Sequence, residues 1–318
     1  FKNGFRERMP EIINKNLSSR PWLTLTDDKG EICWEKFTYC KYNEVSQKKV
    51  FLIGDSHMAS IAKQLKDKLV NKGYQVNVNY VVYYPGFNII DNFGKIDKIQ
   101  NSKIFELQKL LNQNDNNIII FLQRFPLHFN GKYFNNLEGG SEEKGLMDFK
   151  LIPVNQFDTV QHSFFKSVSE LSYTNQIVLI YPVPEVGWKV PNQMLIKIFA
   201  GFRYDQLMRL AWKIFLPFRK VNEIKDYLIT KNYITTSYKV YKDRVKSSFD
   251  VLDSIKGENI YRVYPHKLFC DTLIKDRCVT HDDKNIYYTD DEHLSIKGTE
   301  MINELILKEI EKIEAKSN

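Results

Sequence analysis

From Lys49 onward, short apolar runs alternate with amphipathic segments, and few folds accommodate that pattern. Hydrophobic periodicity predicts strands at 50–54, 75–83, 117–123 and 176–182, separated by helices at 57–72, near 102–113 and at 157–172. Strands alternating with helices predict parallel βαβ units. A helical stretch over about 200–256 follows, then a fifth strand at 259–263 and a closing helix at 295–315. In that last helix Ile302, Leu305, Ile306, Ile310 and Ile313 form a stripe suited to docking on a sheet. The best apolar runs, Ile118 to Leu122 and Ile177 to Val183, have strand lengths, well short of the ~18 residues of a membrane-spanning helix. With 318 residues, 43% apolar and 14% aromatic, the chain has material for one large domain or two small ones.

Residues 1–47 carry Pro10, Pro21, Cys33, Cys40 and little periodicity, which predicts an irregular extension packed on a main domain of residues 48–318. The chain opens at Phe1 without an initiator methionine or a charged-then-apolar leader, so it reads as an excised piece or a mature form. The formal charge of +7 is spread along the sequence, as on a solvated lysine-rich surface, whereas nucleic-acid binders concentrate charge in a stripe. Cys33 with Cys40 and Cys270 with Cys278 form two close pairs. Local pairing would close two small loops worth about 2.5 kcal/mol each and imply an oxidising compartment; the alternative is free thiols in a cytosolic protein. The spacings are wider than those of structural zinc knuckles.

Gly54-Asp55-Ser56-His57 stands where the run Val50-Phe51-Leu52-Ile53 ends and a helical pattern begins. A strand that stops at glycine and turns into a helix exposes the next side chains at the carboxyl edge of the sheet, near the helix's positive end. Ser56 is then either a nucleophile or a plain helix N-cap. A serine hydroxyl needs a base, and Asp290-Asp291-Glu292-His293, ahead of the closing helix, offers one. His293 is the candidate base and Asp290 its orienting acid, with Asp291 as rival. His57, in the first helical turn, is poorly aimed at its neighbour's hydroxyl and reads as a supporting residue.

Phe51-Leu52-Ile53-Gly54-Asp55-Ser56-His57 and Asp290-Asp291-Glu292-His293-Leu294-Ser295 resemble the first and last blocks of the SGNH (GDSL-like) hydrolases. Asn3-Gly4, Tyr181-Pro182-Val183-Pro184-Glu185, the late cysteine pair and the acidic-His-Leu-Ser ending resemble SGNH domains fused behind membrane acyltransferases of the acyltransferase-three type. Members of that family O-acetylate bacterial surface polysaccharides. The family's oxyanion hole uses the nucleophile's own amide, a glycine after the second strand and an asparagine after the third. Ser56 supplies the first, and Gly86, in Tyr83-Tyr84-Pro85-Gly86-Phe87, is similar in position to the second, although an ordinary Pro-Gly turn explains it as well. The third block departs from the pattern: Phe121-Leu122-Gln123-Arg124-Phe125 has no asparagine, leaving Gln123 and Arg124 as candidate donors, with a rim salt bridge as the other reading of Arg124.

The expected architecture is a three-layer α/β/α flavodoxin-like domain on a five-stranded, mainly parallel sheet, with a helical insertion at about 200–256. The expected function is acetyl transfer through Ser56, His293 and Asp290 to a hydroxyl of a surface polysaccharide or lipopolysaccharide. The resemblance implies an acetylated donor, a glycan acceptor, a fused or associated membrane acyltransferase domain, no cofactor, and a periplasmic or extracytoplasmic location tethered to the inner membrane. Its rivals are a secreted carbohydrate esterase, a glycan-binding domain with a vestigial serine, and a metal hydrolase using His281, Asp282, Asp283 and the 290–293 cluster. Met194 to Lys220, where apolar and basic residues interleave, reads as a core helix with a solvated basic face or as a membrane- or partner-facing segment.

Overall fold

The computed structural model describes residues 25–33, 40–79, 87–91, 94–112, 115–142, 149–155, 158–197 and 233–317. In chain order its elements are β1 (Cys40–Tyr42), β2 (Lys49–Gly54), α1 (Ser56–Asn71), β3 (Gln75–Asn79), β4 (Phe87–Asp91), α2 (Lys98–Asn112), β5 (Ile118–Leu122), α3 (Phe125–Asn130), β6 (Phe149–Pro153), α4 (Val160–Leu171) and β7 (Gln176–Ile180). They continue with β8 (Thr235–Ser237), α5 (Tyr238–Ser254), β9 (Ile260–Val263), α6 (His266–Phe269), β10 (Arg277–Val279) and α7 (Ile296–Ser317). The central sheet has the order β1-β3-β2-β5-β7-β9, and all its pairings are parallel except β1 with β3. The sheet therefore has six strands where five were expected. The extra strand is Cys40-Lys41-Tyr42, three residues too short to carry a period, which pairs along the edge of β3.

Both faces of the sheet are covered, as parallel strands require. On β2, Val50 and Leu52 point into one core with Met58, Ile61 and Leu65 of α1 and Ile302, Ile306, Ile310 and Ile313 of α7. Phe51 and Ile53 point into the other, with Leu107 and Leu111 of α2, Phe164 and Val168 of α4 and Leu252 of α5. The stripe read on the closing helix is thus the seam of one outer layer. Leu25 and Cys33 join that same core, so the described part of the N-terminal segment packs on the domain. Both local cysteine pairs, Cys33–Cys40 and Cys270–Cys278, are disulfide-bonded. The helical reading of 200–256 is met in part: 198–232 lie outside the described residues, and the remainder holds β8, paired antiparallel with β10, and then α5. Most of Met194 to Lys220 lies outside them as well, but Met194 and Leu195 pack against the core. Among the described residues no helix is long and apolar enough to cross a membrane.

The strand order has a switch point. From β2 the chain crosses to β3 on one side, whereas β5, β7 and β9 are laid down on the other. Open α/β sheets form their crevice at the carboxyl ends of the strands where the order reverses, here between β2 and β5. Gly54 closes β2 opposite Leu122 of β5. A Cβ on Gly54 would lie 1.8 Å from the Leu122 carbonyl oxygen and 2.7 Å from Met58 Cβ, so only glycine fits. Gly54→Ala is expected to cost more than about 4 kcal/mol or to prevent recovery of folded protein, because the strands must separate. A urea melt matching the parent protein would refute this close approach.

Candidate active site

Beyond Gly54 the chain enters α1, and the residue that caps the helix is Asp55, whose side chain accepts from His57 N at 2.9 Å. Ser56, half-buried, is the first helical residue, and among the described residues its hydroxyl makes no hydrogen bond. The capping role that competes with a nucleophilic one therefore belongs to its neighbour. The other Asp55 oxygen accepts from Arg124 N at 2.8 Å and lies 2.9 Å from His128 Nε2, tying the end of β2 to the segment after β5. Burial pushes the Asp55 carboxyl up, but the His128 hydrogen bond and the His57 and His128 charges outweigh it and hold it well below the usual range.

The loop before α7 reaches the same edge. His293 is buried, and its Nδ1 lies 2.9 Å from Asp290 Oδ2 and 3.1 Å from Oδ1. Asp290 Oδ1 also accepts from the backbone amides of Glu292 and His293, at 3.0 and 2.7 Å, which fixes the carboxylate against the ring. Of the two neighbouring aspartates, Asp290 meets the imidazole, whereas the Asp291 carbonyl accepts from Val186 N and Gly187 N. The His57 ring stands 5.4 Å from the His293 ring, so the two distant motifs meet at the first turn of α1. Ser56 and His293 are not hydrogen-bonded to each other here, as is common before substrate binds.

Burial pushes the His293 pKa down, but the Asp290 hydrogen bond and the charges of Asp290, Glu292 and Asp55 outweigh it and raise it. Asp290 is shifted oppositely, its burial overcome by His293 and the two amides. Raising His293 stabilises the fold below its ordinary 6.5, and that contribution fades as pH rises through the higher folded value. Lowering Asp290 stabilises the fold above its ordinary 3.8, a contribution lost as pH falls through the lower folded value. If His293 is the base, the acid limb of kcat/KM lies above 6.5, and Asp290→Asn moves it to lower pH. Unshifted limbs in parent and variant pH–rate profiles would exclude that role.

Behind these groups lies a charge network. Arg124, buried, donates through Nε to Glu185 at 2.7 Å and through both terminal nitrogens to Glu142, at 2.6 and 2.5 Å, and its Nη1 also pairs with Glu292. Arg244 of α5 supplies Glu185 with a second cation at 2.8 Å. Glu292 in turn stands 3.7 Å from His57 Nε2. Burial raises the Glu292 carboxyl, but His57 and Arg124 prevail and hold it at about 2. The loop carrying Glu185 is pinned by Tyr241 and Tyr288, whose hydroxyls donate to the carbonyls of Pro182 and Pro184, each at 2.8 Å. Arg124 is thus an ion-pair hub in the interior. Gln123 is 1% exposed, and among the described residues neither end of its amide has a hydrogen-bond partner. Leaving a buried amide unsatisfied costs about 1–3 kcal/mol. Gly86 lies outside the described residues.

Among the described residues His281, Asp282 and Asp283 do not join the 290–293 cluster in one set of donors close enough to share an ion. His281 uses both ring nitrogens, Nε2 accepting from Ile234 N at 3.2 Å and Nδ1 lying 3.0 Å from the Asp282 carbonyl, while the Asp282 carboxylate accepts from Lys284 N, Asn285 N and the Tyr287 hydroxyl. Among the described residues two other sets bring ligand atoms within 4.8 Å of one another, His57 with Glu292 and His293, and Glu142 with Glu185 and Glu292. Both are built around Glu292, whose charge Arg124 already balances.

His128, Glu142, Arg244 and the charge role of Glu292 carry no periodic or motif signal in the sequence. Glu185 belongs to the Tyr181 to Glu185 motif, but nothing in that stretch names its partner.

A three-layer α/β/α domain with an acid–imidazole pair packed against the first turn of the helix that follows its first parallel strand has the layout of an SGNH-type domain. The chain belongs to the family described as SGNH domain (fused to AT3 domains), whose model matches residues 24–308. Among solved structures it is similar to the periplasmic domain of a Salmonella ser. Paratyphi A lipopolysaccharide acetyltransferase, at 15% identity over 83% of this chain and 84% of that one, with a TM-score of 0.44. No curated protein matches the sequence.

Proposed function

We propose that this domain is an O-acetyltransferase that carries acetyl on Ser56 and delivers it to a hydroxyl of a bacterial surface polysaccharide or lipopolysaccharide. The observation that carries this reading is the Asp290–His293 pair packed against the first turn of the helix that Ser56 begins, with Asp55 taking over the cap. His293 Nε2 takes the Ser56 proton as Oγ attacks the acetyl carbonyl, and the same imidazole returns a proton to the leaving group. The oxyanion is held by the Ser56 amide, by the Gln123 side chain, whose Nε2 is otherwise unused, and by the Gly86 amide. Arg124, engaged by three carboxylates, holds the Glu292 end of the site in register. In the second half the acceptor hydroxyl loses its proton to His293, attacks the acetyl-serine carbonyl, and expels Ser56 Oγ.

Family membership supports the rest of this reading. Domains of this family are described as fused to AT3 domains. Such a membrane acyltransferase is the natural source of the acetyl group and the tether to the inner membrane, with this domain on the periplasmic side. The two disulfides accord with an oxidising compartment. Mass spectrometry after incubation with p-nitrophenyl acetate tests the reading. A single acetyl on Ser56, lost in His293→Ala, is the expected result, and an adduct elsewhere, or none, would overturn it.

A further inference from the structure

Beside the His293 loop opens a cleft of about 620 Å³ whose lining includes Gly140, Trp188, Lys189, Asn192, Gln193 and Asp291, within the ~300–1,000 Å³ typical of small-ligand sites. Two loops wall it. Residues 134–142 are closed on themselves by Asn136, whose amide N–H donates to the Gly140 carbonyl at 2.9 Å and whose Oδ1 accepts from Glu138 N and Gly140 N at 2.8 Å each. Asn136 Nδ2 then donates to the Val186 carbonyl at 2.9 Å, joining this loop to residues 186–190. Those residues are bonded in turn to the loop of the acid–imidazole pair. Val186 N and Gly187 N donate to the Asp291 carbonyl at 2.9 and 3.2 Å, and Val190 N donates to that of Asp290 at 3.3 Å. Cleft and candidate base form one hydrogen-bonded unit. A Cβ on Gly140 would lie 2.5 Å from Trp188 Nε1 and 2.3 Å from Asn136 Nδ2, so the glycine is what lets the half-exposed indole stand against the loop.

The lining selects a chemical class. Trp188 offers an aromatic surface, while Asn192, Gln193 and Ser141 offer neutral donors and acceptors; neither amide side chain is hydrogen-bonded to another described residue. Glu142 and Glu292 are held by Arg124, and among the described lining residues Lys189 is the single cation. A phosphorylated ligand would face Asp291 and the Arg124-paired carboxylates of Glu142 and Glu292, with Lys189 the one lining cation to receive it. An acyl chain would strand the amides. A sugar satisfies both features, its C–H face on the indole and its vicinal hydroxyls on the carboxamides.

We infer that this cleft binds the acceptor as a neutral oligosaccharide, presenting the hydroxyl to be acetylated toward His293. The inference rests on the acetyl-transfer reading for what the bound sugar does, so its test measures binding with the nucleophile removed. Ser56→Ala protein is titrated, by ligand-observed NMR, with dextran-, mannan-, galactan- and rhamnan-derived oligosaccharides of three to five units, with their reducing-end phosphates, and with decanoate. At least one neutral oligosaccharide is expected to bind in preference to the phosphates and decanoate. Trp188→Ala should weaken it at least tenfold, and Asn192→Ala, at an exposed position, at least threefold with an unchanged melting temperature. Binding indifferent to both substitutions, stronger binding of the phosphates or decanoate, or binding of no neutral oligosaccharide would overturn the inference. Sugar binding as expected, alongside a Ser56 that never acquires acetyl in the parent protein, would instead sink the transfer reading and leave the cleft assignment standing.

Discussion

Ser56→Ala is expected to lower kcat for acetyl transfer from p-nitrophenyl acetate by about a millionfold while leaving the melting temperature within about 1 °C. The size of the loss follows from how a nucleophile and its base act as a unit: removing either one forfeits nearly everything that removing both would, about 10⁶ in kcat. His293→Ala should therefore match Ser56→Ala, and the double variant should be no slower than either. The unchanged stability follows from the local structure. Asp55 caps the helix, the Ser56 hydroxyl bonds to no described residue, and alanine is a good helix former, so the deleted oxygen has no structural work to lose. A nucleophile elsewhere would leave Ser56→Ala active. A vestigial site would give parent and variant the same slow background rate.

The parallel core of this fold is legible because β2, β5 and β7 are apolar runs buried on both faces, and the helices between them carry a clear 3.6-residue period. What escapes is short or lies outside the central sheet, as do the five-residue strands β4 and β6, which pair antiparallel with each other. β1, β8 and β10 have three residues each, too few to display alternation, and their pairing is decided by the neighbours that happen to lie alongside. The site divides similarly. Ser56, Asp290 and His293 sit in two contiguous motifs that the sequence displays directly, and the fold brings those motifs to one edge. The network around Arg124 is different in kind. Glu142, Glu185 and Glu292 come from three segments, each an ordinary charged residue in its own stretch, and only tertiary structure gives them a common partner in Arg124 and joins Arg244 to the network through Glu185. The place of Arg124 after Gln123 at the strand end suits a rim salt bridge or an oxyanion donor, and neither the neighbour nor the strand end reveals that three carboxylates converge on it. The same neighbourhood hid His128, which finds Asp55 because α3 turns its side chain back toward the end of β2.

Arg124→Met is expected to be among the most destabilising substitutions in the domain, by about 3–5 kcal/mol, because it strips the shared cation from three carboxylates that burial has already removed from water. For a chain of 318 residues that is a fall in melting temperature on the order of 4–8 °C. Arg244 still serves Glu185, so the loss concentrates on Glu142 and Glu292. Arg124→Lys keeps the charge but not the fork that reaches Glu142 and Glu185 together, and should fall between parent and Arg124→Met. The pH dependence separates this account from simple loss of packing. In the parent protein the Glu292 carboxyl sits at about 2, so its contribution is complete above the ordinary 4.5 and disappears only as pH falls toward 2. Without Arg124 the His57 hydrogen bond and the imidazole charges still oppose burial, but the carboxyl rises from its parent value, so it takes up a proton at higher pH than in the parent and the penalty of the lost cation is relieved sooner. The stability gap between parent and Arg124→Met should therefore be widest near neutral pH and narrow steadily toward pH 4 in denaturant melts. A gap independent of pH would assign the effect to lost packing alone. Because Glu292 also faces His57, and His57 stands against the His293 ring, the same substitution should reduce acetyl transfer in the fraction that stays folded. The network would then be the means by which a loop nearly 240 residues downstream holds its imidazole against the first turn of α1.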